Sequence, residues 1–335
     1  MTRSQVFIFE GVIVLVAIAI LYAIVGWPFG SGGGDAVGDD PPGFVIGGNG
    51  EDDDTGDDDT GDDDTGGDDD GAPGRPDCGP TIDQSFLSAN QIVSYYGNPY
   101  AEVLGILGQH EPEEVVRLLK GHAANIDALN GLRGVQPALH MVYATAQPQP
   151  GENGLYLLYV DEVTLKEYID LACENGLLIF LDLQVGRSTP EEEVRKIFPY
   201  LKQNHVHVAL DPEFTMPPGE IPGQSIGFIS GPTINSVQEL LQGFVVDSGI
   251  ADKILIVHQF DEAMIPEKEA IASYGRVRLV IDMDGFGPSA TKVRKFNSFA
   301  VPAEHSGIKL FFKQDTPVMT DEEVVALLPD VIIYQ

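Results

Sequence analysis

The chain of 335 residues is long enough for one large domain or two ordinary ones, and it carries a net charge of −33. Sixteen of its acids lie between residues 35 and 70, a stretch without Lys or Arg, and the rest of the chain still holds −17. This balance excludes a surface built to neutralise nucleic-acid phosphates, which needs Lys and Arg, and two cysteines exclude a disulfide framework.

Residues 6–27, "VFIFEGVIVLVAIAILYAIVGW", are apolar apart from Glu10. A helix needs about 20 such residues to cross a bilayer. Arg3 before the run and acids after it orient the N-terminus to the cytoplasm and the remainder outside. A cleaved signal peptide is the competing reading, but the run is longer than a signal core and no small-x-small site follows it. Residues 1–28 are therefore expected to be an uncleaved single-pass anchor. Residues 29–85 form a Gly/Asp-rich linker with the unit DDDTG repeated three times. Such a segment has almost nothing to bury and is expected to be disordered, spanning roughly 40 Å as a flexible coil. It lacks the D-x-D-x-D-G loop with a distal Glu that an EF-hand calcium site requires.

Residues 86–335 alternate short apolar runs with amphipathic stretches, the pattern of β/α units. Nine strands are predicted, at 92–97, 138–145, 177–184, 206–213, 225–230, 254–260, 277–285, 308–312 and 331–335. Helix signals fall between most of them. Pro112 precedes Glu113 and Glu114, Thr189 and Thr320 begin capping boxes with Glu192 and Glu323, Asn175-Gly176 is a stop, and Ser289 is a cap. Val, Ile and Leu dominate the strands, as in parallel sheets covered on both faces. The expected fold is α/β, a TIM-like (β/α)8 barrel. Two features sit badly with it: one strand too many, and a proline-rich connection at 214–224. A doubly wound open sheet is the alternative, but "YYGNPYAEVLG" is no phosphate-binding G-x-G-x-x-G turn. Cys173 is read as a buried free thiol and Cys78 as incidental, with a disulfide between them as the minority reading.

In a barrel the chemistry sits at the C-terminal strand ends. Here those ends are polar: Tyr95 and Tyr96; Asp182, Gln184 and Arg187; Asp211 and Glu213; His258, Gln259 and Asp261; Asp282 and Asp284; Lys313 and Asp315. Residues two apart share a face, so the paired carboxylates point together. Crowded carboxylates raise one another's pKa, which lets one stay protonated beside another that is ionised. Glu213 is the candidate general acid, tuned by Asp211, with Asp284 or Asp182 as nucleophile or base. Glycoside hydrolysis uses such a pair, about 5 Å apart for retention and roughly 6.5–9.5 Å for inversion. Tyr95, Tyr96, Gln184, Arg187, His258, Gln259, Lys313 and Asp315 are the candidate substrate-binding residues.

Asp211 and Glu213 at the end of the fourth strand resemble the D-x-E acid motif of chitinase-like and lysozyme-like glycoside hydrolases. The longer D-x-x-D-x-D-x-E form is absent from "VHVALDPE". The pieces "LDLQVGR", "ALDPEF", "VHQF", "DGFG", "KLFFKQDTPVM" and "IIYQ" also resemble a group of uncharacterised bacterial exported proteins and lipoproteins. That resemblance implies fold and location, not activity.

Three function classes follow. The first is a membrane-anchored, extracytoplasmic glycosidase acting on a cell-envelope or extracellular glycan, with no cofactor and no metal assigned. The second is a non-catalytic glycan-binding or structural module. The third is a carboxylate-metal-dependent hydrolase using Asp182, Asp211, Glu213 and Asp284. Barrel amidohydrolases carry H-x-H on the first strand, which here reads "IVSYYG". The one H-x-H, at His205 and His207, starts the fourth strand on the stability face, and His140 reads as a core histidine. No G-x-S-x-G or P-loop is present.

Overall fold

The computed structural model describes residues 78–301 and 303–335. The anchor expected at 1–28 and the linker up to residue 77 lie outside the described residues. Among the described residues, no helix is long and apolar enough to cross a membrane.

Among the described residues, nine strands form one sheet: β1 (Asn90–Gly97), β2 (Gly134–Ala146), β3 (Leu157–Tyr159), β4 (Leu178–Gly186), β5 (Val206–Thr215), β6 (Lys253–Gln259), β7 (Val277–Met283), β8 (His305–Leu310) and β9 (Val331–Tyr334). The order β1-β9-β8-β7-β6-β5-β4-β2 closes on itself because β1 also pairs with β2. All eight of those pairings are parallel. The sheet is thus a closed TIM-like barrel, and the open doubly wound alternative is excluded. β3 lies outside it, antiparallel to the last residues of β2.

Period-two alternation assigns the two faces of each strand. One set (Ile92, Tyr96, Ala138, Val142, Leu178, Phe180, Ala209, Ile254, Ile256, Val280, Val331 and Ile333) packs inside the barrel. The other (Val93, Leu139, Ile179, Val208, Leu255, Ile281 and Ile332 among them) packs against the surrounding helices. Both sets are almost entirely removed from water, which is why the strands read as continuous apolar runs. Ile82, Phe86 and Leu87 belong to the inner cluster, so residues upstream of 90 join the barrel interior.

The expectations for residues 225–230 and for the two cysteines are corrected. Residues 225–230 are not a strand; their amides are taken by neighbouring chain ends. Gly227 N donates to Glu213 O at 2.7 Å, Phe228 N to Thr215 O at 3.2 Å and Ile229 N to Met264 O at 3.0 Å. Ser230 then caps the helix Gly231–Ser248 by accepting from Thr233 N. Without this segment the barrel count is eight. The second correction is that Cys78 is disulfide-bonded to Cys173, with Cα atoms 4.9 Å apart across a separation of 95 residues. Burial of Ile82 draws the segment inward, and Gly79, at φ +76, lies against His205.

The helix signals are observed at Pro112, Thr189, Asn175-Gly176 and Thr320, the last as a full capping box. Ser289 is the first helical residue rather than the cap, a position held by Pro288. The β6–β7 connection carries two short 3-10 turns, Glu262–Met264 and Lys268–Ala270, in place of an α-helix.

Candidate active site

The upper interior of the barrel is polar. Tyr96 from β1, His140 from β2, Asp182 from β4, Asp211 from β5, His258 from β6, Asp282 at the end of β7 and Lys309 from β8 are all buried, and Asp284, just past β7, is 8 % exposed. Glu213, two residues above Asp211, is the partly exposed member of the group.

Asp182 is the innermost carboxylate. Its Oδ2 lies 3.4 Å from His258 Nε2 and 3.6 Å from His140 Nε2. Both separations exceed a normal hydrogen bond to a charged acceptor. His258 Nδ1 sits 2.9 Å from Asp282 Oδ2 and 3.7 Å from Asp284 Oδ2. Lys309 Nζ reaches Asp284 Oδ2 at 3.3 Å and lies 3.6 Å above the Tyr96 ring centroid, where the ring face adds to its stabilisation. Gly307 makes room for Asp282: a Cβ there would stand 2.8 Å from Asp282 Oδ1.

Burial and like charge separate the carboxyls electrostatically. Desolvation, reinforced by Asp211 and Asp284, pushes Glu213 well above the usual carboxylate range. Desolvation and then Asp182 push Asp211 up to about 7. Burial also raises Asp284, opposed by Lys309 and His258. Burial works against ionisation of Asp182, but His258 and His140 outweigh it and hold the group well below its usual range. Burial would neutralise Lys309, yet Asp284, Asp211 and Asp182 outweigh it and raise its pKa. Burial lowers His140 to about 4. The site therefore pushes Glu213 and Asp211 toward the protonated form, sets burial of Asp284 against Lys309 and His258, and holds Asp182 ionised at its floor.

The predicted residues divide by side-chain direction. Glu213, Asp284, Asp211, Asp182, Tyr96 and His258 belong to this interior group. Gln184 is also buried near the mouth, with Oε1 accepting from Ala146 N at 2.8 Å. Tyr95 faces outward instead, packing with the outer cluster and bonding His122 at 3.2 Å. Gln259 is likewise on the outer face, where it accepts from Lys268 Nζ. Arg187 is engaged by the loops, donating to Glu220 O at 2.7 Å with its guanidinium 4.2 Å from the Tyr156 ring centroid. Lys313 is exposed. Asp315 is consumed by the scaffold, pairing with Lys292 at 2.9 Å and accepting from the amides of Gly287 and Phe311. Strand parity corrects Tyr95 and Gln259, saturation by neighbours corrects Asp315, and Arg187 and Lys313 lie on loops outside the interior group.

Sequence reading assigned no site role to His140, Asp282 or Lys309. A lysine between Ile308 and Leu310 in a buried strand was the available signal for the last of these. His205 contacts Ile169 O at 3.1 Å, while His207 sits lower in the interior and accepts from Ile254 N at 3.3 Å.

No family model matches the chain, and no curated protein matches it. Among solved structures it is similar to a cellulase, Cel5C_n, at 10 % identity and a TM-score of 0.39, covering 73 % of this chain and 75 % of that one. It is similar to a hyperthermophilic endo-beta-1,4-glucanase at 9 % identity and a TM-score of 0.35, covering 75 % and 90 %. It is also similar to 7,8-dihydropteroate synthase from Vibrio fischeri ES114 at 10 % identity and a TM-score of 0.35, covering 76 % and 91 %. At TM-scores below 0.5 these likenesses carry no argument about chemistry; the barrel assignment rests on the strand topology.

Proposed function

We propose that the chain is a membrane-anchored, extracytoplasmic glycoside hydrolase that cleaves a cell-envelope or extracellular glycan by carboxylate acid/base catalysis. The observation that carries this reading is Glu213: a partly exposed carboxyl at the mouth, pushed well above the usual range by desolvation, beside an Asp284 carboxylate paired with Lys309. A protonated acid and an ionised partner are the two groups that glycosidic cleavage needs. Glu213 delivers its proton to the leaving oxygen, and Asp284 attacks the sugar or activates water. Desolvation first, and then the charge of Asp211 directly below it, keeps the proton on Glu213. Phe214 and Phe286, both partly exposed near the strand ends, offer rings on which sugars stack. The Cys78–Cys173 disulfide supports export, since such bonds persist in oxidising compartments. The apolar run at 6–27 supports anchoring.

The test incubates the full chain with wall glycans and common polysaccharides beside Glu213→Gln. Release of reducing ends by the parent and not by the variant supports the reading. Binding without release by both replaces it with a glycan-binding module.

A further inference from the structure

We propose that His140, Asp182 and His258 form a binding site for one divalent transition-metal ion of the zinc type, set in the barrel interior beneath the acid pair. The proposal goes beyond the glycosidase reading and stands on separate observations. The ligand atoms of these three side chains lie within 4.8 Å of one another, and all three residues are wholly buried. Two imidazoles and one carboxylate are a common donor set for such ions, and they leave a coordination position for water or a substrate atom.

The distances favour a metal over direct hydrogen bonds. Ligand atoms at about 2.0–2.1 Å from a tetrahedral centre stand roughly 3.3–3.4 Å apart. The Asp182 Oδ2 separations, 3.4 Å to His258 Nε2 and 3.6 Å to His140 Nε2, are close to that edge. A charge-assisted N–H···O bond would close to roughly 2.7–2.9 Å. Both carboxylate oxygens of Asp182, both ring nitrogens of His140 and Nε2 of His258 have no hydrogen-bond partner among the described residues. Five polar atoms in that state, packed together at zero exposure, are costly unless something satisfies them jointly.

The surroundings match the second shell of a metal site. Asp282 Oδ2 accepts from His258 Nδ1 at 2.9 Å. In the neutral imidazole that bond leaves the Nε2 lone pair toward Asp182, as carboxylate–histidine–metal chains are built. A cation there would take the place of the Nε2 proton that the surrounding carboxylates otherwise favour. Gly307, by admitting the Asp282 carboxylate, completes this support. Coordination would displace any proton held on His258 Nε2, so metal binding releases protons.

The test uses the full chain in detergent, stripped with a chelator and titrated with Co²⁺ and then Zn²⁺. The expected result is one tightly held Co²⁺ with the intense visible absorption of a four- or five-coordinate ion, displaced by one equivalent of Zn²⁺. His140→Gln and His258→Gln are expected to abolish that absorption. Asp282→Asn, which keeps shape and removes charge, is expected to weaken binding ten- to hundredfold. Pale, weak binding that is the same in parent and variants locates the ions on the Asp-rich stretch at 35–70 and overturns the proposal. So does a ¹⁵N spectrum in which His258 carries protons on both nitrogens and does not respond to Zn²⁺. Neither readout depends on sugar release, so the metal site and the glycosidase reading fail separately.

Discussion

Two buried Lys–Asp pairs lie near the C-terminal ends of β7 and β8, and they have opposite characters. Lys292 spends all three donors, on Asp315 Oδ2 at 2.9 Å, Gly285 O at 2.9 Å and Lys309 O at 2.7 Å. Asp315 in turn accepts from two backbone amides. The pair ties the loop after β7 to the end of β8, and nothing is left for a ligand. Lys309 instead holds Asp284 at 3.3 Å, and Asp284 Oδ1 has no hydrogen-bond partner among the described residues. Burial lowers the Lys292 pKa despite Asp315, whereas the surrounding carboxylates overcome burial and raise that of Lys309. Saturation marks scaffold. Unspent capacity, gathered around one mouth, marks a site.

Substitutions on the two sides are expected to have opposite consequences. Glu213→Gln, on the unspent side, is expected to lower kcat by about 10²–10⁴-fold, the usual contribution of a general acid. Its stability to denaturant is expected to stay level or rise, because an uncharged amide replaces a carboxyl that burial disfavours when ionised. Lys292→Met, on the saturated side, is expected to do the reverse. Removing one partner of a buried pair strands the other and costs about 3–5 kcal/mol. Urea denaturation would register that loss, while kcat per folded molecule stays near the parent value. If Glu213→Gln unfolds the protein and Lys292→Met abolishes turnover in the folded fraction, the assignment of roles is inverted.

Stability against pH separates the two regions further. Asp211 and Glu213 have folded pKa values raised above their unfolded ones. The folded state therefore binds more protons between the two values, and stability falls as pH rises through that interval. For Asp211 the window runs from its usual 3.8 to about 7. Glu213→Gln is expected to flatten part of this slope, measured as urea midpoints from pH 4 to 8, and Lys292→Met to leave it in place. The same proton sets the alkaline limb of activity, which should fall above the ordinary carboxylate range as Glu213 ionises.

The barrel was legible because Val-, Ile- and Leu-rich runs covered on both faces leave little choice but parallel strands. The error at 225–230 has a local cause. "SIGFIS" alternates like a strand, but its amides find the last carbonyls of β5 before any neighbouring strand can. The carboxylates were legible from spacing alone, since Asp211 and Glu213, or Asp282 and Asp284, share a face in any strand. His140 was not. It stands mid-strand in the thirteen-residue β2, yet in register it pairs with Tyr96 near the end of β1. Mid-strand in one element is thus level with the mouth in the next. Lys309 was missed because β8 stops at Leu310, so the functional cation precedes the strand end where Lys313 and Asp315 drew attention.

Gly307→Ala tests whether the mouth tolerates the smallest intrusion. The added Cβ would stand 2.8 Å from Asp282 Oδ1 and 3.1 Å from its Cα, which is backbone and cannot swing away. A cost of about 1–3 kcal/mol is expected, as for other overpacked sites, and urea midpoints would measure it. The displaced Asp282 would also release His258, so kcat should fall with stability. A purely structural glycine would lower stability alone.

A smaller stability cost than that of Lys292→Met is expected from Lys309→Met, although its ion pair is nearly as buried. Without Lys292, Asp315 would lose its buried counter-ion while both its oxygens stay engaged by backbone amides. Asp284 has a free oxygen and a pKa that burial already raises. Losing Lys309 should therefore end in a protonated Asp284 rather than a stranded charge, with a stability cost on the order of 1 kcal/mol at pH 6 that shrinks toward acid. The cost appears in the rate profile instead. With its counter-ion removed, Asp284 ionises later, and the acid limb of kcat should move up by about 1–3 pH units, the span an adjacent opposite charge commands. An unmoved acid limb would mean that the ionised partner of Glu213 is a carboxylate other than Asp284.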